Sequence, residues 1–160
     1  MTNIKFQILQ SKDQSKFQII ADWYLSEWKI HREKTIERLQ TITADSSQFQ
    51  ILMTLDNIPV STGGLYHQVG LVDKEPRLKI YKNWLALVYT TPEKRYQGYG
   101  ALICEHIQDL SKNIGLDTIY LFTDTAERLY KRLGWNEMER LSIHDRNIII
   151  MKKELKKENG

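Results

Sequence analysis

Cysteine, proline and long apolar runs are scarce in this chain. Cys104 is the only cysteine among 160 residues, which excludes an internal disulfide and fits a reducing, cytoplasmic compartment. The longest uninterrupted apolar run, Trp84 to Tyr89, is far too short to cross a bilayer, and Met1 to Gln10 alternates polar and apolar residues instead of building a signal-peptide core. Secretion and membrane spanning are not expected. No internal repeat or low-complexity stretch occurs. The most loop-like connections, Ala44 to Ser47 and Leu71 to Pro76, are too short to link domains, so residues 1–160 read as a single domain.

Several chemistries are missing as well. His31, His67, His106 and His144 lack the paired spacing of a zinc site, and His106 with Asp109 reads as a solvated helix face, so no metal is expected. There is no Gly-x-Ser-x-Gly elbow, and Cys104 falls inside a helical pattern as a small buried residue rather than a nucleophile. The net charge of +3 is spread along the chain. Its densest block, Lys152, Lys153, Lys156 and Lys157, is interleaved with glutamate and reads as a solvated end. Without an arginine-rich helix, zinc-finger spacing or an aromatic-basic strand motif, nucleic-acid binding is not expected.

What is present is a regular alternation of elements. Ile4, Phe6 and Ile8 alternate as a strand reaching Gln10, while Phe17, Ile20, Ala21, Tyr24, Leu25 and Trp28 fall at the steps of an amphipathic helix. A second helix is predicted from about His31 to Gln40. Phe49 to Leu55 and Ile58 to Tyr66 read as strands joined by the hairpin turn Asp56-Asn57, the second carrying the pair Gly63-Gly64. Trp84 to Thr90 reads as a buried strand. Ile103, Ile107, Leu110 and Ile114 then mark a helix that stops at Gly115. Thr118 to Thr123 is a strand, so Trp84 to Thr123 forms a right-handed parallel crossover. A helix from about Thr125 to Leu133 ends at Gly134, and strands near Trp135 to Leu141 and Asn147 to Glu154 are joined at His144-Asp145. The sheet is mixed, antiparallel early and parallel at the crossover.

The turn after the Trp84 to Thr90 strand carries the chemistry. Arg95-Tyr96-Gln97-Gly98-Tyr99-Gly100-Ala101 leads into a helix, so a short loop aims free backbone N–H groups at one point and the helix adds the positive end of its dipole. The two glycines let the backbone approach a ligand with no Cβ in the way. An anionic, phosphate-bearing ligand is the expectation. The loop lacks the Gly-Lys-Ser/Thr ending of a nucleotide P-loop and the third glycine of the dinucleotide fingerprint.

With Pro92 before it, this segment resembles the glutamine-or-arginine, x, x, Gly, x, Gly-or-Ala loop of the GCN5-related N-acetyltransferases (GNAT). A second segment, from Ala126 through Tyr130 to Gly134-Trp135, looks like that family's Ala-x-x-x-Tyr-x-x-x-Gly-aromatic helix end. The resemblance covers nearly the whole chain. It implies an α/β fold built on a central, twisted mixed sheet of about six or seven strands flanked by about four helices, in the order β-α-α-β-β-β-α-β-α-β-β. It also implies acetyl-coenzyme A (acetyl-CoA) as cosubstrate and a primary amine, of a small molecule or a peptide, as acceptor; with no nucleophilic residue in view, direct attack by the amine on the bound thioester is the simpler mechanism.

The resemblance further assigns roles. The backbone at Val88, Tyr89 and Thr90 is expected to bond the pantetheine arm and the acetyl oxygen, where the family splays two parallel strands apart. The pyrophosphate is expected over Tyr96, Gln97, Gly98, Tyr99, Gly100 and Ala101, with Arg95 at its edge and Lys94, Lys131 or Arg132 near the outer phosphate. Tyr96 and Tyr99 contribute through backbone alone. Tyr130 matches the tyrosine that protonates or hydrogen-bonds the departing sulfur, and a phenol, titrating near 10, arrives protonated. Thr123 stands where many members carry an asparagine that bonds pantetheine; a hydroxyl makes one such bond where an amide makes two. No general base is evident. Glu27, among Trp23, Tyr24 and Trp28, could hold a cationic amine or be a solvated helix glutamate, and His67 reads as surface; neither joins the candidate site. A non-catalytic acyl-CoA sensor is the competing class, the chain being monomer or homodimer.

Overall fold

The computed structural model describes residues 2–155, which fold in the order β1 (Ile4–Ile8), α1 (Gln14–Trp28), α2 (Arg32–Thr43), β2 (Phe49–Leu55), β3 (Ile58–Tyr66), α3 (Gly70–Lys74), β4 (Trp84–Thr90), α4 (Tyr99–Asn113), β5 (Thr118–Thr123), α5 (Glu127–Arg132), β6 (Asn136–Ile143) and β7 (Arg146–Glu154). The strands form one seven-stranded sheet in the order β1-β2-β3-β4-β5-β7-β6, and β4 with β5 is its parallel pair. Both tight hairpins use positive φ at each central residue, Asp56 and Asn57 at 49° and 70°, His144 and Asp145 at 48° and 63°. That backbone matches the right-handed twist of the flanking strands.

Side chains alternate across the sheet and fill two layers. On one face Ile51, Met53, Leu65 and Leu85 pack against Ile103, Cys104 and Ile107 of α4. On the other, Leu52 and Tyr89 meet Phe17, Ile20 and Tyr24 of α1 and Leu39 of α2, while Trp84 and Ala86 meet Leu71, Val72 and Leu78. Among the described residues no helix is long and apolar enough to cross a membrane.

The structure corrects the sequence reading in places. Leu71 to Pro76, expected to be a loop, holds all of α3 but its first residue and runs into a 3-10 turn at Pro76–Ile80, adding a short helix between the third and fourth strands. Five residues are too few to display a helical period, and tertiary burial of Leu71, Val72 and Leu78 decides the conformation. Helix α2 continues three residues beyond Gln40 to Thr43. The α1 stripe is narrower than its periodicity suggests, since Leu25 and Trp28 are 41% and 43% exposed. Lys152 and Lys153 are not a solvated tail but part of β7, and the Lys153 ammonium donates to the Leu133 carbonyl at 3.1 Å. Lys156 and Lys157 lie outside the described residues.

Gly64 sits in β3 where a Cβ would collide with the Tyr66 ring, lie 2.7 Å from Gln50 Oε1 and 3.0 Å from the Phe49 carbonyl. Backbone cannot yield as a flexible side chain can. Gly64→Ala is therefore expected to destabilise the fold by about 2 kcal/mol, the usual cost of overpacking a filled core, measured by urea denaturation.

Candidate active site

The parallel pair is where the sheet opens. Among the described residues its ladder pairs Trp84 with Tyr120 and goes no further; the Tyr120 N–H donates to the Asn83 carbonyl at 3.0 Å, and beyond that point β4 and β5 part. On its other side β4 carries a bulge. The β3 register passes from Thr62↔Tyr89 to Gly64↔Ala86, so Leu87 and Val88 together oppose Gly63. Leu87 adopts φ 52°, a left-handed conformation that costs a branched residue about 1–2 kcal/mol. The bulge also resets the alternation. Leu85 and Val88 both pack toward α4, whereas Ala86 and Tyr89 both face the opposite layer.

The three strand-end residues therefore sit beside the opening. The Tyr89 ring stacks on Trp23 at 5.1 Å and meets Trp28 edge-on at 6.2 Å. Burial pushes its hydroxyl above the ordinary phenol value. The Thr90 hydroxyl lies 3.1 Å from Ser61 Oγ, and the Thr90 carbonyl accepts from Arg95 Nε at 2.8 Å.

Beyond Thr90 the chain forms a 3-10 turn at Pro92–Lys94, takes φ 65° at Tyr96 and φ 87° at Gly98, and enters α4. The first α4 hydrogen bond runs from the Leu102 N–H to the Gly98 carbonyl, so the N–H groups of Tyr99, Gly100 and Ala101 have no helical acceptor. Space in front of them is open. A Cβ on Gly98 would meet nothing within 4 Å, and one on Gly100 only Thr90 Oγ1 at 3.9 Å. Thr91 Oγ1, buried at the mouth of the loop, has no hydrogen-bond partner. Unpaired donors, a helix N-terminus and clear space fit the pyrophosphate of a coenzyme. Tyr96 is fully exposed, Gln97 donates to the Glu93 carbonyl at 3.4 Å, and Tyr99 is half-buried against the α4-side core.

Arg95 makes an ion pair across the fold. Its Nη2 is 2.5 Å from Glu27 Oε2, and its guanidinium lies 5.4 Å from the centre of the Tyr89 ring. The motif arginine thus ties the loop to α1. Glu27, weighed as a solvated glutamate or an amine-binding carboxylate, is its counterion; a salt bridge across 68 positions leaves no trace in local spacing. Lys94 is half-buried, Lys131 pairs with Glu127 Oε2 at 2.7 Å, and Arg132 is exposed. His67 is held in the Asp45 turn, its ring 2.8 Å from Ser47 Oγ.

Tyr130, on α5, meets Trp135 edge-on at 6.0 Å and packs against the core cluster that includes Cys104 of α4. Burial pushes its hydroxyl far above the ordinary phenol value and pushes the Cys104 thiol up to about 12, so both carry their protons at neutral pH. Thr123 Oγ1 accepts from the N–H groups of Thr125 and Ala126 at 3.3 and 3.0 Å. This closes the turn into α5 and occupies the oxygen expected to face a ligand. Among the described residues no cluster of three or more His, Cys, Asp or Glu could hold a metal ion.

A strand pair parted beside a bulge, with a glycine loop and helix N-terminus at its mouth, gathers unpaired backbone groups in one place. The family model described as "Acetyltransferase (GNAT) family" matches residues 15–135, and the chain belongs to that family. Its fold is shared by an aminoglycoside 6′-N-acetyltransferase solved with coenzyme A (14% identity, TM-score 0.76, covering 98% of this chain and 99% of that one). The aminoglycoside 6′-N-acetyltransferase of Enterococcus faecium gives the same values, 14% identity, TM-score 0.76 and coverage of 98% and 99%. The Salmonella typhimurium protein yncA, solved with acetyl-CoA, gives 10% identity, TM-score 0.74 and coverage of 98% and 96%. No curated protein matches the sequence.

Because Thr123 closes the α5 entrance, Thr123→Val is expected to lower unfolding free energy by about 1 kcal/mol, the net worth of one such hydrogen bond, in chemical denaturation.

Proposed function

We propose that this chain is an acetyl-CoA-dependent N-acetyltransferase acting, as one domain, on a primary amine. The observation that carries the reading is the gap between β4 and β5, which brings unpaired backbone of a strand to the same mouth as the unpaired N–H groups of the α4 N-terminus. Acetyl-CoA supplies the activated acyl group. The residues of the chain then have separate tasks. The Tyr96 to Ala101 backbone holds the pyrophosphate, and Val88, Tyr89 and Thr90 offer backbone groups to the pantetheine and the acetyl carbonyl, whose oxygen gains charge as the amine attacks. The new N–C bond forms as the C–S bond breaks, and Tyr130 gives its proton to the departing sulfur. What supports that role is a hydroxyl on α5 that burial holds protonated.

Arg95 acts as a strut. With its charge balanced by Glu27, it fixes the loop rather than supplying the main positive charge. Thr123 serves the α5 turn, and any contact it makes to pantetheine is through its proton. The amine loses its proton to water, since Glu27, the carboxylate considered for holding the amine, is committed to Arg95. That commitment is also the observation favouring a non-catalytic acyl-CoA sensor. The opposite layer, with Trp23, Trp28 and Tyr89 at the strand end, is where the acceptor approaches.

Isothermal titration with acetyl-CoA, then thiol release over an amine panel, tests the reading. Binding with release on one amine class is expected; binding without release on any amine supports the sensor, and no binding defeats both. Tyr130→Phe is expected to lower turnover by about 10²-fold or more while leaving coenzyme affinity unchanged. Because burial raises the Tyr130 pKa above its unperturbed value near 10, the proton stays on through alkaline assays, and kcat is expected to show no descending limb up to about pH 10. A loss of kcat between pH 8 and 9 that disappears in Tyr130→Phe would contradict the assignment.

A further inference from the structure

The bulge at Leu87 is held by a buried chain of side chains that the acetyl-transfer reading does not use. The Tyr24 hydroxyl, on α1, donates to the Leu87 carbonyl at 2.7 Å. Gln50 Nε2 donates to that same Tyr24 oxygen at 3.1 Å and to Thr62 Oγ1 at 2.8 Å. The Tyr66 hydroxyl donates to Gln50 Oε1 at 2.5 Å, and the Thr62 hydroxyl to the Ile51 carbonyl at 2.7 Å. Tyr24 and Tyr66 are each 1% exposed, Gln50 and Thr62 0%.

Direction matters here. Each hydroxyl has one proton and spends it once, the amide uses both its N–H bonds and its carbonyl, and every donor is matched. The proton order runs one way, from Tyr66 through Gln50 and Tyr24 to the Leu87 carbonyl. Burial holds Tyr24 well above the ordinary phenol value and Tyr66 up to about 12, so neither end of the chain titrates under assay conditions.

Two glycines make room for this device. A Cβ on Gly64 would strike the Tyr66 ring and Gln50 Oε1, and one on Gly63 would lie 2.9 Å from Ile107 Cδ1 and 3.1 Å from Val88 Cγ2. The first position clears the network and the second clears the bulge itself.

We propose that Tyr24, supported by Gln50 and Tyr66, is a positioning residue for the acyl group: it holds the Leu87 carbonyl in the α1 layer and so fixes the rotation of the Leu87-Val88 peptide that Val88 presents at the opening. The inference rests on the acetyl-transfer reading, which places the thioester carbonyl beside Val88. A left-handed leucine has no intrinsic reason to stay, and a hydroxyl from another element supplies one. Acyl recognition is thereby coupled to the packing of α1, whose Trp23 and Trp28 line the same strand end.

The test compares acetyl-CoA with free CoA, which shares every feature except the acyl carbonyl, on the full chain and on Tyr24→Phe and Tyr66→Phe. In Tyr24→Phe the affinity for acetyl-CoA is expected to fall about five- to tenfold, the worth of one well-aligned hydrogen bond, while CoA binds as before. Tyr66→Phe, which cuts the far end and leaves the Tyr24 hydroxyl in place, shifts acetyl-CoA in the same direction by less. Equal weakening of both ligands with a lower Tm makes Tyr24 a scaffold residue and overturns the inference, as do unchanged affinities for both. If Tyr24→Phe does not fold, Tyr66→Phe carries the same comparison. Failure of the unmutated chain to bind acetyl-CoA is a different result, because it removes the acetyl-transfer reading itself.

Discussion

A parallel strand pair that separates after one register is the constraint around which the rest of this structure is arranged. Backbone N–H and C=O groups withdrawn from a ladder must find other partners or face a ligand or solvent. The chain meets that demand locally. The bulge turns the Leu87 carbonyl away from the ladder and toward Tyr24, Ser61 Oγ donates to the Tyr89 carbonyl at 2.7 Å, and Arg95 occupies the Thr90 carbonyl. What remains open is the side of β4 that faces β5, next to the α4 N-terminus. The site is the part of the sheet that the chain does not pair with itself.

Electrostatics follow from the same geometry. What the α4 start offers an anionic group is the peptide dipoles of a helix N-terminus, which do not titrate and have no side-chain entropy to lose. Arg95, the one cation in the motif, is neutralised by Glu27 and packed over Tyr89. It braces the loop against α1, so the coenzyme side and the α1 side of the sheet share a mechanical link. Tyr24 makes a second such link one turn earlier on the same helix. Helix α1 thereby touches the motif loop and the bulge through two side chains that lie outside both.

Much of this was legible beforehand, and the reasons differ by element. Strands β2, β3, β4 and β5 lie where alternation, turn residues and apolar runs put them, because each is bounded by residues with strong backbone preferences, such as Asp56, Asn57 and the Gly115 that follows α4. Gly98 was readable because a left-handed position at a helix start has few other solutions. The bulge was hidden. Within the continuous apolar run from Trp84 to Tyr89, a slipped alternation looks the same as a regular one. The pair Gly63-Gly64 stood in the sequence without an explanation, and its partners, Val88, Ile107, Tyr66 and Gln50, come from four different elements.

The sequence by itself determined the order of the strands and of the longer helices and the glycine loop, since these depend on neighbours within a few turns or one hairpin, and the parallel crossover follows from the strand-helix-strand order. Only the tertiary structure decided that Arg95 would face Glu27, that Thr123 Oγ1 would close the turn into α5, and that Tyr24 would reach the Leu87 carbonyl across 63 positions. Those outcomes depend on which faces are brought together when the two layers close on the sheet. A hydrogen bond between distant residues has no period and no spacing to announce it; it exists because packing leaves each buried polar group one available partner.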